Sequence, residues 1–211
     1  MYRTLRRSYG SLSTWWPAES SYEVFIGAIL TQQTQWKNVE NAMKNLKNEM
    51  IISPYNIANA NIGTIKKAIR PAGFYIQKAK RIKLITQKII DEFGSFESLN
   101  KLNTPDLRSK LISYNGIGDE TADSILLYAF GRESFVVDAY TKRILGRLTG
   151  RDQGSYANVQ QFITSRIKHD INMYKEFHAQ LVELAKRSCK AKPICLGCPL
   201  STICTYSMNV K

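Results

Sequence analysis

The chain has 211 residues, enough for one large domain or two small ones with a real hydrophobic core. Hydrophobic residues make up 44% of it, and no apolar run approaches the roughly 18 residues of a membrane span, so we expect a soluble globular protein with no membrane partner. Lysine and arginine number 30 against 17 acidic residues, and the formal charge of +13 is spread along the chain. A folded protein this basic most often binds a polyanion, above all nucleic acid, although a generally basic proteome is the alternative.

Helical patterns run through nearly the whole chain. Residues 22–30 form an apolar run, and residues 36–46 continue with apolar positions every three or four residues, which predicts an amphipathic helix. The same spacing recurs further along, and Thr104-Pro105-Asp106 has proline at the first position of a predicted helix. Further helices are predicted at 65–69, 76–90, 104–111, 119–130, 138–148, 158–167 and 171–187. Because no strong alternating strand pattern occurs, the predicted fold class is all-α.

A glycine-containing turn at residues 114–119 (YNGIGD) joins two of these predicted helices. The pattern of a hydrophobic residue, Gly-x-Gly and a helix start is typical of a helix-hairpin-helix. Gly116 and Gly118 can take a positive φ in a tight turn and allow close backbone approach, while Ile117 is predicted to point inward and pin the two helices. The N–H groups at the start of the second helix then form an anion site suited to a phosphate.

All four cysteines lie in the last segment, with the spacing Cys189-x5-Cys195-x2-Cys198-x5-Cys204. Such a compact group is seldom a disulfide framework, and the sequence shows no signal peptide, so we expect a reducing cytoplasm and a metal site. Zinc usually prefers two tight C-x2–4-C pairs, whereas one tight pair flanked by two longer loops suits an iron–sulfur cluster. Zinc, and free or disulfide-bonded cysteines, are the alternatives.

The segment from Gly116 to Asp138, together with the four-cysteine loop, resembles the endonuclease III superfamily of DNA glycosylases, also called helix-hairpin-helix–Gly/Pro-Asp proteins. The resemblance covers nearly the full chain. It implies a six-helix barrel domain at 22–133, a discontinuous cluster domain formed by 1–21 and 134–211, and a DNA-binding cleft between them. It also implies a 4Fe–4S cluster held by the cysteines of the loop 189–204. The first cysteine loop has five residues where the family usually has six, a departure that concerns cluster geometry.

Two positions bear on the chemistry that the resemblance implies. Asp138 matches the superfamily's catalytic aspartate, whose negative charge stabilises an oxocarbenium-like sugar and can orient a water. From the residues alone it is also a plausible helix N-cap, and the two roles can coexist. Glu120 stands where glycosylase-lyases of the family carry a Schiff-base lysine, so we expect base excision without strong strand cleavage. Stabilisation of a helix dipole is the alternative for Glu120.

The three tryptophans, Trp15, Trp16 and Trp36, lie within 22 residues of one another. Tryptophan stacks well on an extruded base and on cations, and an alkylated purine such as 3-methyladenine is cationic. With Pro17, the Trp-Trp-Pro segment also resembles the 3-methyladenine DNA glycosylase III group, which makes an alkylated purine the first candidate substrate. Archaeal relatives with clusters have been linked to uracil excision, so uracil, or a deaminated or oxidised base, stays an alternative. Core packing is the alternative for the tryptophans.

Other positions are assigned through the same resemblance. Gln33 matches the residue that inserts into the duplex to replace the flipped base, with a solvated helix end as the alternative. Tyr22 and Gln32 are candidates for contact with the base. Lys190 and Lys192, between the first two cysteines, are candidates for phosphate contacts, with a solvated loop as the alternative.

The resulting hypothesis is a monomeric, monofunctional DNA glycosylase of the cytoplasm and nucleoid that acts on double-stranded DNA containing a damaged base. Ala28 stands near where adenine-mismatch relatives place a catalytic glutamate, which argues against that branch. Weak lyase activity through Lys142 and a non-catalytic lesion-binding protein are the rival hypotheses. The two histidines, His169 and His178, stand alone and are assigned to surface or packing.

Overall fold

A computed structural model of the chain describes residues 1–12 and 15–209, and within these ranges it contains helices and turns but no β-strand. The predicted all-α fold class is therefore confirmed. In the same ranges, no helix is both long enough and apolar enough to cross a membrane. The chain divides into two compact units, which are called here the central unit, Ala18–Arg132, and the terminal unit, Met1–Pro17 with Glu133–Lys211. The domain boundaries implied by the resemblance stay a prediction.

The α-helices follow the predicted segments closely, and three short ones were not predicted: α1, α4 and α12. In chain order, the helices are α1 (Tyr2–Tyr9), α2 (Ser21–Leu30), α3 (Trp36–Asn48), α4 (Pro54–Asn59), α5 (Ile62–Ala68), α6 (Tyr75–Phe93), α7 (Thr104–Ser113), α8 (Asp119–Ser124), α9 (Ala139–Thr149), α10 (Tyr156–Thr164), α11 (Ile171–Arg187) and α12 (Thr205–Asn209).

Helix α2 forms the core of the central unit. Ser20 caps its N-terminus by accepting the N–H of Glu23 at 3.1 Å, and every residue from Tyr22 onward is buried. A helix that is apolar all round has to be surrounded by others, and α2 packs against α3, α6 and α8. The buried rings of Phe25 and Phe96 meet at 5.2 Å beside it.

The segment predicted as one helix at 119–130 changes geometry partway along. Helix α8 ends at Ser124, and Ile125–Ala129 continues it as a wider π-helical turn. The Ser124 hydroxyl donates to the carbonyl of Glu120 at 2.7 Å, a back-bond that competes with the regular helical ladder. Such a local change is not encoded in apolar spacing, which is why the sequence predicted a continuous helix.

The terminal unit is organised around α11, whose residues from Glu176 to Val182 are all buried. Helix α11 packs against α1 and α9, and α9 also packs against α12. Phe135 contacts two aromatic residues of α11, with ring centroids 5.6 Å from Tyr174 and 5.7 Å from Phe177. This packing buries the apolar run that leads into Asp138 and so fixes where α9 begins.

Candidate functional site

The hairpin between α7 and α8 has one glycine that the backbone requires and one that it does not. Gly116 has a φ of 87°, a conformation that strongly favours glycine, and a Cβ there would lie 2.0 Å from Nε of Arg81, so the arginine side chain would have to move. Ile117 is 4% exposed and points inward as predicted. Gly118 differs from the expectation, because its φ of −99° suits any residue. A Cβ at Gly118 would meet open space. Because glycine has no side chain, a ligand can approach the backbone at the start of α8.

Gln32 joins the loop after α2 to this hairpin. Its Nε2 donates to the carbonyl of Gly116 at 3.0 Å and to the hydroxyl of Thr121 at 2.9 Å. Its Oε1 accepts a 2.6 Å hydrogen bond from Nη1 of Arg81. Both ends of the amide are therefore used within the central unit, which gives Gln32 a bridging role. Its contact with a base stays a prediction.

Lys78 of α6 anchors the loop that carries Gln33. Its side chain is almost fully buried, and burial lowers its pKa to about 8, so at neutral pH the ammonium remains charged. It donates to three backbone carbonyls, those of Leu30 at 2.8 Å, Gln32 at 2.7 Å and Ala72 at 2.9 Å. Gln33 is exposed with a φ of 54°, a left-handed conformation that non-glycine residues adopt only when neighbours enforce it.

Acidic residues occupy the first turns of α8, and an arginine of α7 binds two of them. Nη2 of Arg108 lies 2.6 Å from Oδ1 of Asp119, and its Nε lies 2.8 Å from Oδ1 of the fully buried Asp123. The hydrogen bond to Asp123 is the main cause that raises the pKa of Arg108. Glu120 is exposed in the same turn. The ion pairs fix α7 against α8 and hence the hairpin that joins them.

Two aromatic residues predicted for the base pocket have different surroundings in the central unit. Trp36 is the first residue of α3 and is half-buried. Tyr22 is 2% exposed, its hydroxyl bonds that of Thr86 at 2.8 Å, and its ring stacks on Phe25 at 5.7 Å. Burial raises the pKa of Tyr22. Tyr22 is therefore part of the core of this unit, and its contact with a base stays a prediction.

In the terminal unit, Asp138 is the N-cap of α9. Its Oδ1 accepts the N–H of Thr141 at 2.7 Å, and its Oδ2 lies 3.7 Å from Nε2 of His178. Burial by itself would raise the pKa of Asp138, but His178 and Thr141 outweigh burial and hold the pKa below its ordinary value. The capping role considered from sequence is thus observed, and the carboxylate is ionised at neutral pH.

The first two tryptophans lie in the same unit and connect to Asp138 through His178. Trp15 and Trp16 meet edge-on with ring centroids 6.1 Å apart, and Trp15 meets His178 edge-on at 5.6 Å. Pro17 is exposed beside them. His178 is 4% exposed, which agrees with packing, but its position facing Asp138 was missed. A histidine among the apolar residues of α11 was the only sequence signal.

The four cysteines are half-buried and form no disulfide bond in the structure. Burial raises the pKa of Cys198, and the charges of Cys189, Cys204 and Cys195 raise it further, so the four sulfurs influence one another. Within the part of the chain that the structure describes, no three histidine, cysteine or acidic side chains converge closely enough to hold a single metal ion. Thiols are the usual ligands of iron–sulfur clusters, so four of them on one short loop are chemically suited to such a group.

Two arginines of α9 hold the start of the cysteine loop. Nε of Arg143 donates to the carbonyl of Cys189 at 3.0 Å. Nη1 of Arg147 donates to the carbonyl of Lys190 at 2.6 Å and lies 3.4 Å from Sγ of Cys189, while its Nη2 donates to the carbonyl of Ala191 at 2.8 Å. These contacts use the backbone of the loop, so the side chains of Lys190 and Lys192 remain exposed.

Comparison with known sequences identifies relatives along nearly the whole chain. The "Putative DNA repair glycosylase MJ1434" of Methanocaldococcus jannaschii is 47% identical over 207 residues, which is 97% of this chain and 94% of that protein. A thymine-DNA glycosylase of Aeropyrum pernix is 28% identical over 210 residues, covering 96% of this chain and 91% of that protein.

Solved structures show the same fold. The structure of H. pylori 3-methyladenine DNA glycosylase (MagIII) bound to 1,N6-ethenoadenine has a TM-score of 0.78 and 31% identity, covering 88% of this chain and 95% of that one. A trapped endonuclease III–DNA covalent intermediate has a TM-score of 0.84, covering 99% of this chain and 94% of that one, and at 22% identity it shows the fold alone. Residues 26–169 match the family described as HhH-GPD superfamily base excision DNA repair protein. This match and the 47% identical relative confirm the predicted resemblance, and the chain belongs to the HhH-GPD superfamily.

Proposed function

We propose that this chain is a monofunctional DNA glycosylase of base excision repair, acting as a monomer in the cytoplasm on duplex DNA. It flips a damaged base out of the helix and hydrolyses the N-glycosidic bond. The observation that carries the proposal is an ionised, anchored carboxylate, Asp138, in a chain of a base excision repair family. Relatives named as DNA glycosylases support the same activity.

The chemistry asks for a carboxylate that is charged before the reaction begins. Breaking an N-glycosidic bond builds positive charge on the sugar, and a fixed anion near the anomeric carbon stabilises that charge. Asp138 meets this need because its lowered pKa keeps it ionised and its cap bond to Thr141 holds one oxygen in place. The same carboxylate can orient the water that attacks the sugar.

Hydrolysis without strand cleavage follows from the side chain at position 120. A carboxylate cannot form the imine that a lyase needs, and Glu120 lies exposed in the first turn of α8. Lys142, exposed on α9 one turn after Asp138, is the amine that a weak lyase activity would use. Borohydride trapping decides the point, since a covalent adduct with DNA would contradict a monofunctional enzyme.

We assign contact with DNA to the hairpin, to the loop that carries Gln33, called here the wedge loop, and to the cysteine loop. The backbone of Gly116, Ile117 and Gly118 presents the start of α8 to a phosphate, with open space where a side chain at Gly118 would stand. Gln33 fills the space left by the flipped base, which suits an exposed residue whose left-handed backbone is enforced by Lys78. Exposed Lys190 and Lys192 supply phosphate contacts that position the duplex.

We propose an alkylated purine, such as 3-methyladenine, as the preferred substrate. Trp15, Trp16 and Trp36 are half-buried aromatic surfaces, and a cationic base gains from aromatic stacking. The 31% identity to a 3-methyladenine DNA glycosylase supports this choice. A second candidate is uracil or thymine in a mismatch, which the relative named as a thymine-DNA glycosylase favours. Oxidised bases rank behind both.

We also propose that Cys189, Cys195, Cys198 and Cys204 hold a 4Fe–4S cluster. The four thiols are half-buried, form no disulfide bond, and lie close enough for three of them to raise the pKa of Cys198, which fits such a group. Nothing in the excision chemistry requires electron transfer, so we assign the cluster a structural role. When bound, it would crosslink the cysteine loop. Arg147 already fixes the start of this loop through two backbone carbonyls.

The deciding experiment is base release from duplexes containing 3-methyladenine, uracil, a thymine mismatch, hypoxanthine or 8-oxoguanine, each with and without alkaline treatment. Release of 3-methyladenine, with strand breaks only after alkali, is the expected result. Release of uracil or thymine alone would retain the role of Asp138 and overturn the alkylated-purine assignment. No release from any duplex, with lesion-specific binding retained, would replace the glycosylase proposal with a non-catalytic lesion-binding protein.

A further inference from the structure

His178 is a buried histidine to which the proposed mechanism gives no role. It lies in the buried middle of α11, and its side chain is 5% exposed. Its Nε2 faces the carboxylate of Asp138, which stands at the start of α9. On another side, the indole of Trp15 meets the imidazole edge-on, with an interplanar angle of 89°. The ring is therefore fixed between the tryptophan and the carboxylate.

The two oxygens of Asp138 have different partners. Oδ1 accepts the N–H of Thr141 at 2.7 Å, and Oδ2 lies 3.7 Å from Nε2 of His178. The first contact is local, because Thr141 is only three residues away. The second contact joins α11 to the start of α9, and it involves the carboxylate oxygen that takes no part in the cap bond. Rotation of the carboxylate is thus limited from both sides, and electrostatic stabilisation of a transition state depends on such preorganisation.

We propose that His178 is a positioning residue that orients the Asp138 carboxylate for base excision, with Trp15 holding the imidazole ring in place. The inference rests on the proposed function, because it requires Asp138 to act in excision. At 3.7 Å the pair is beyond hydrogen-bonding distance, and the contact is an ion pair when the imidazole is protonated. We expect it to shorten when DNA is bound, since catalytic hydrogen bonds are often long in the free enzyme.

The inference has a pH signature that a purely structural residue would lack. Burial pushes the pKa of Asp138 upward, and His178 is the main influence that lowers it. When the imidazole is removed, burial still acts on Asp138 and its pKa rises. The pH below which the excision rate falls, the acid limb of the pH–rate profile, therefore moves to a higher value. The charged groups near this histidine include Asp138 and Lys186, whose ammonium lies 5.8 Å from the centroid of the Trp15 ring.

The test measures single-turnover excision from a 3-methyladenine duplex across acidic and neutral pH. His178→Phe is expected to slow excision by about ten- to hundredfold, the effect of losing one interaction with a charged group, and to move the acid limb upward. Binding of a duplex that contains an abasic-site analogue should stay unchanged.

His178→Gln should recover much of the rate, because its amide can donate to Oδ2, but it should retain part of the acid-limb shift. His169→Gln, at the other and mostly exposed histidine, is the matched control and should match the wild type.

Asp138→Asn separates the failure of the inference from the failure of the proposed function. If Asp138→Asn is inactive while His178→Phe keeps the wild-type rate and acid limb, the positioning role is overturned and the glycosylase stands. If Asp138→Asn keeps the wild-type rate, both are overturned. Should circular dichroism show that His178→Phe does not fold, His178→Gln decides. A slower rate with a raised acid limb supports the role, and wild-type behaviour overturns it.

Discussion

The ammonium of Lys78 donates a 2.7 Å hydrogen bond to the carbonyl of Gln32, one residue before the strained backbone of Gln33. Two further carbonyls, those of Leu30 and Ala72, accept from the same ammonium. The C-terminal carbonyls of a helix carry partial negative charge and lack helical partners, so a buried cation is a suitable cap there. The shape of the wedge loop thus depends on a side chain from a different helix, α6.

Lys78→Met should destabilise the protein and impair base excision together. The substitution leaves buried carbonyls without a donor, which costs about 3 kcal/mol in the free energy of unfolding. The loop that carries Gln33 then relaxes, and excision slows more than duplex binding weakens. Urea unfolding and single-turnover excision measure the two effects. Lys80→Met, at an exposed lysine of the same helix, is the control and should change neither.

The two hairpin glycines should respond differently to alanine. Gly116→Ala places a Cβ at a φ of 87° and against Arg81, so the free energy of unfolding should fall by about 1–2 kcal/mol. Gly118→Ala suits the backbone and meets open space, so stability should stay within about 0.5 kcal/mol. Affinity for duplex DNA should nevertheless fall in Gly118→Ala, because the new methyl group faces the proposed phosphate site. Equal stability losses in the two variants would contradict the assigned conformations.

The ion pairs between α7 and α8 should differ in strength. Asp123 is fully buried and receives two hydrogen bonds from Arg108, so Asp123→Asn should cost about 2 kcal/mol of unfolding free energy. Asp119 is half-exposed, and Asp119→Asn should cost about 0.5 kcal/mol or less. Urea unfolding at low and high salt measures both, and only the Asp119 contribution should fade with salt. The reverse ranking would show that Asp123 does not hold the hairpin.

Asp138→Asn should separate catalysis from capping. Asparagine keeps the N-cap of α9 but not the charge, so the free energy of unfolding at neutral pH should fall only by the contribution of the ionised carboxylate, while excision should fall about a hundredfold or more. The folded pKa of Asp138 lies below its ordinary value, so its ionisation stabilises the fold above that value. This contribution is lost as pH falls through the folded pKa. Thermal unfolding across acidic pH should therefore show a shallower pH dependence in Asp138→Asn than in the wild type.

The cysteine loop should carry iron in the purified protein. Iron and sulfide analysis, together with the broad visible absorbance of an iron–sulfur protein, measures this directly. Cys198→Ser should lose the absorbance and lower the thermal midpoint, because the loop loses a crosslink. Zinc in place of iron, with no visible absorbance, would leave a metal site but contradict the cluster.

Local sequence was sufficient wherever the partners of a residue are close along the chain. An apolar run predicted α2, and apolar spacing of three to four residues predicted α3 and α6, all with bounds within three residues of those observed, while the bounds of α11 match the prediction. The capping role of Asp138 was predictable for the same reason, because its partner Thr141 is three residues away. The short helices α1, α4 and α12 escaped prediction because few turns give too little periodicity.

The use of individual side chains depended instead on helices that are far apart in sequence. No local pattern indicates that the amide of Gln32 bonds the carbonyl of Gly116 or that the phenol of Tyr22 bonds Thr86. His178 has no neighbour in sequence that suggests a role, and it meets Asp138 only because α9 and α11 pack together. Sequence alone determined the helices, the hairpin turn and the cysteine set, since these depend on nearest neighbours. Tertiary structure decided which polar groups form hydrogen bonds within the core and which side chains face the carboxylate of Asp138. Both depend on how each helix is rotated against its neighbours.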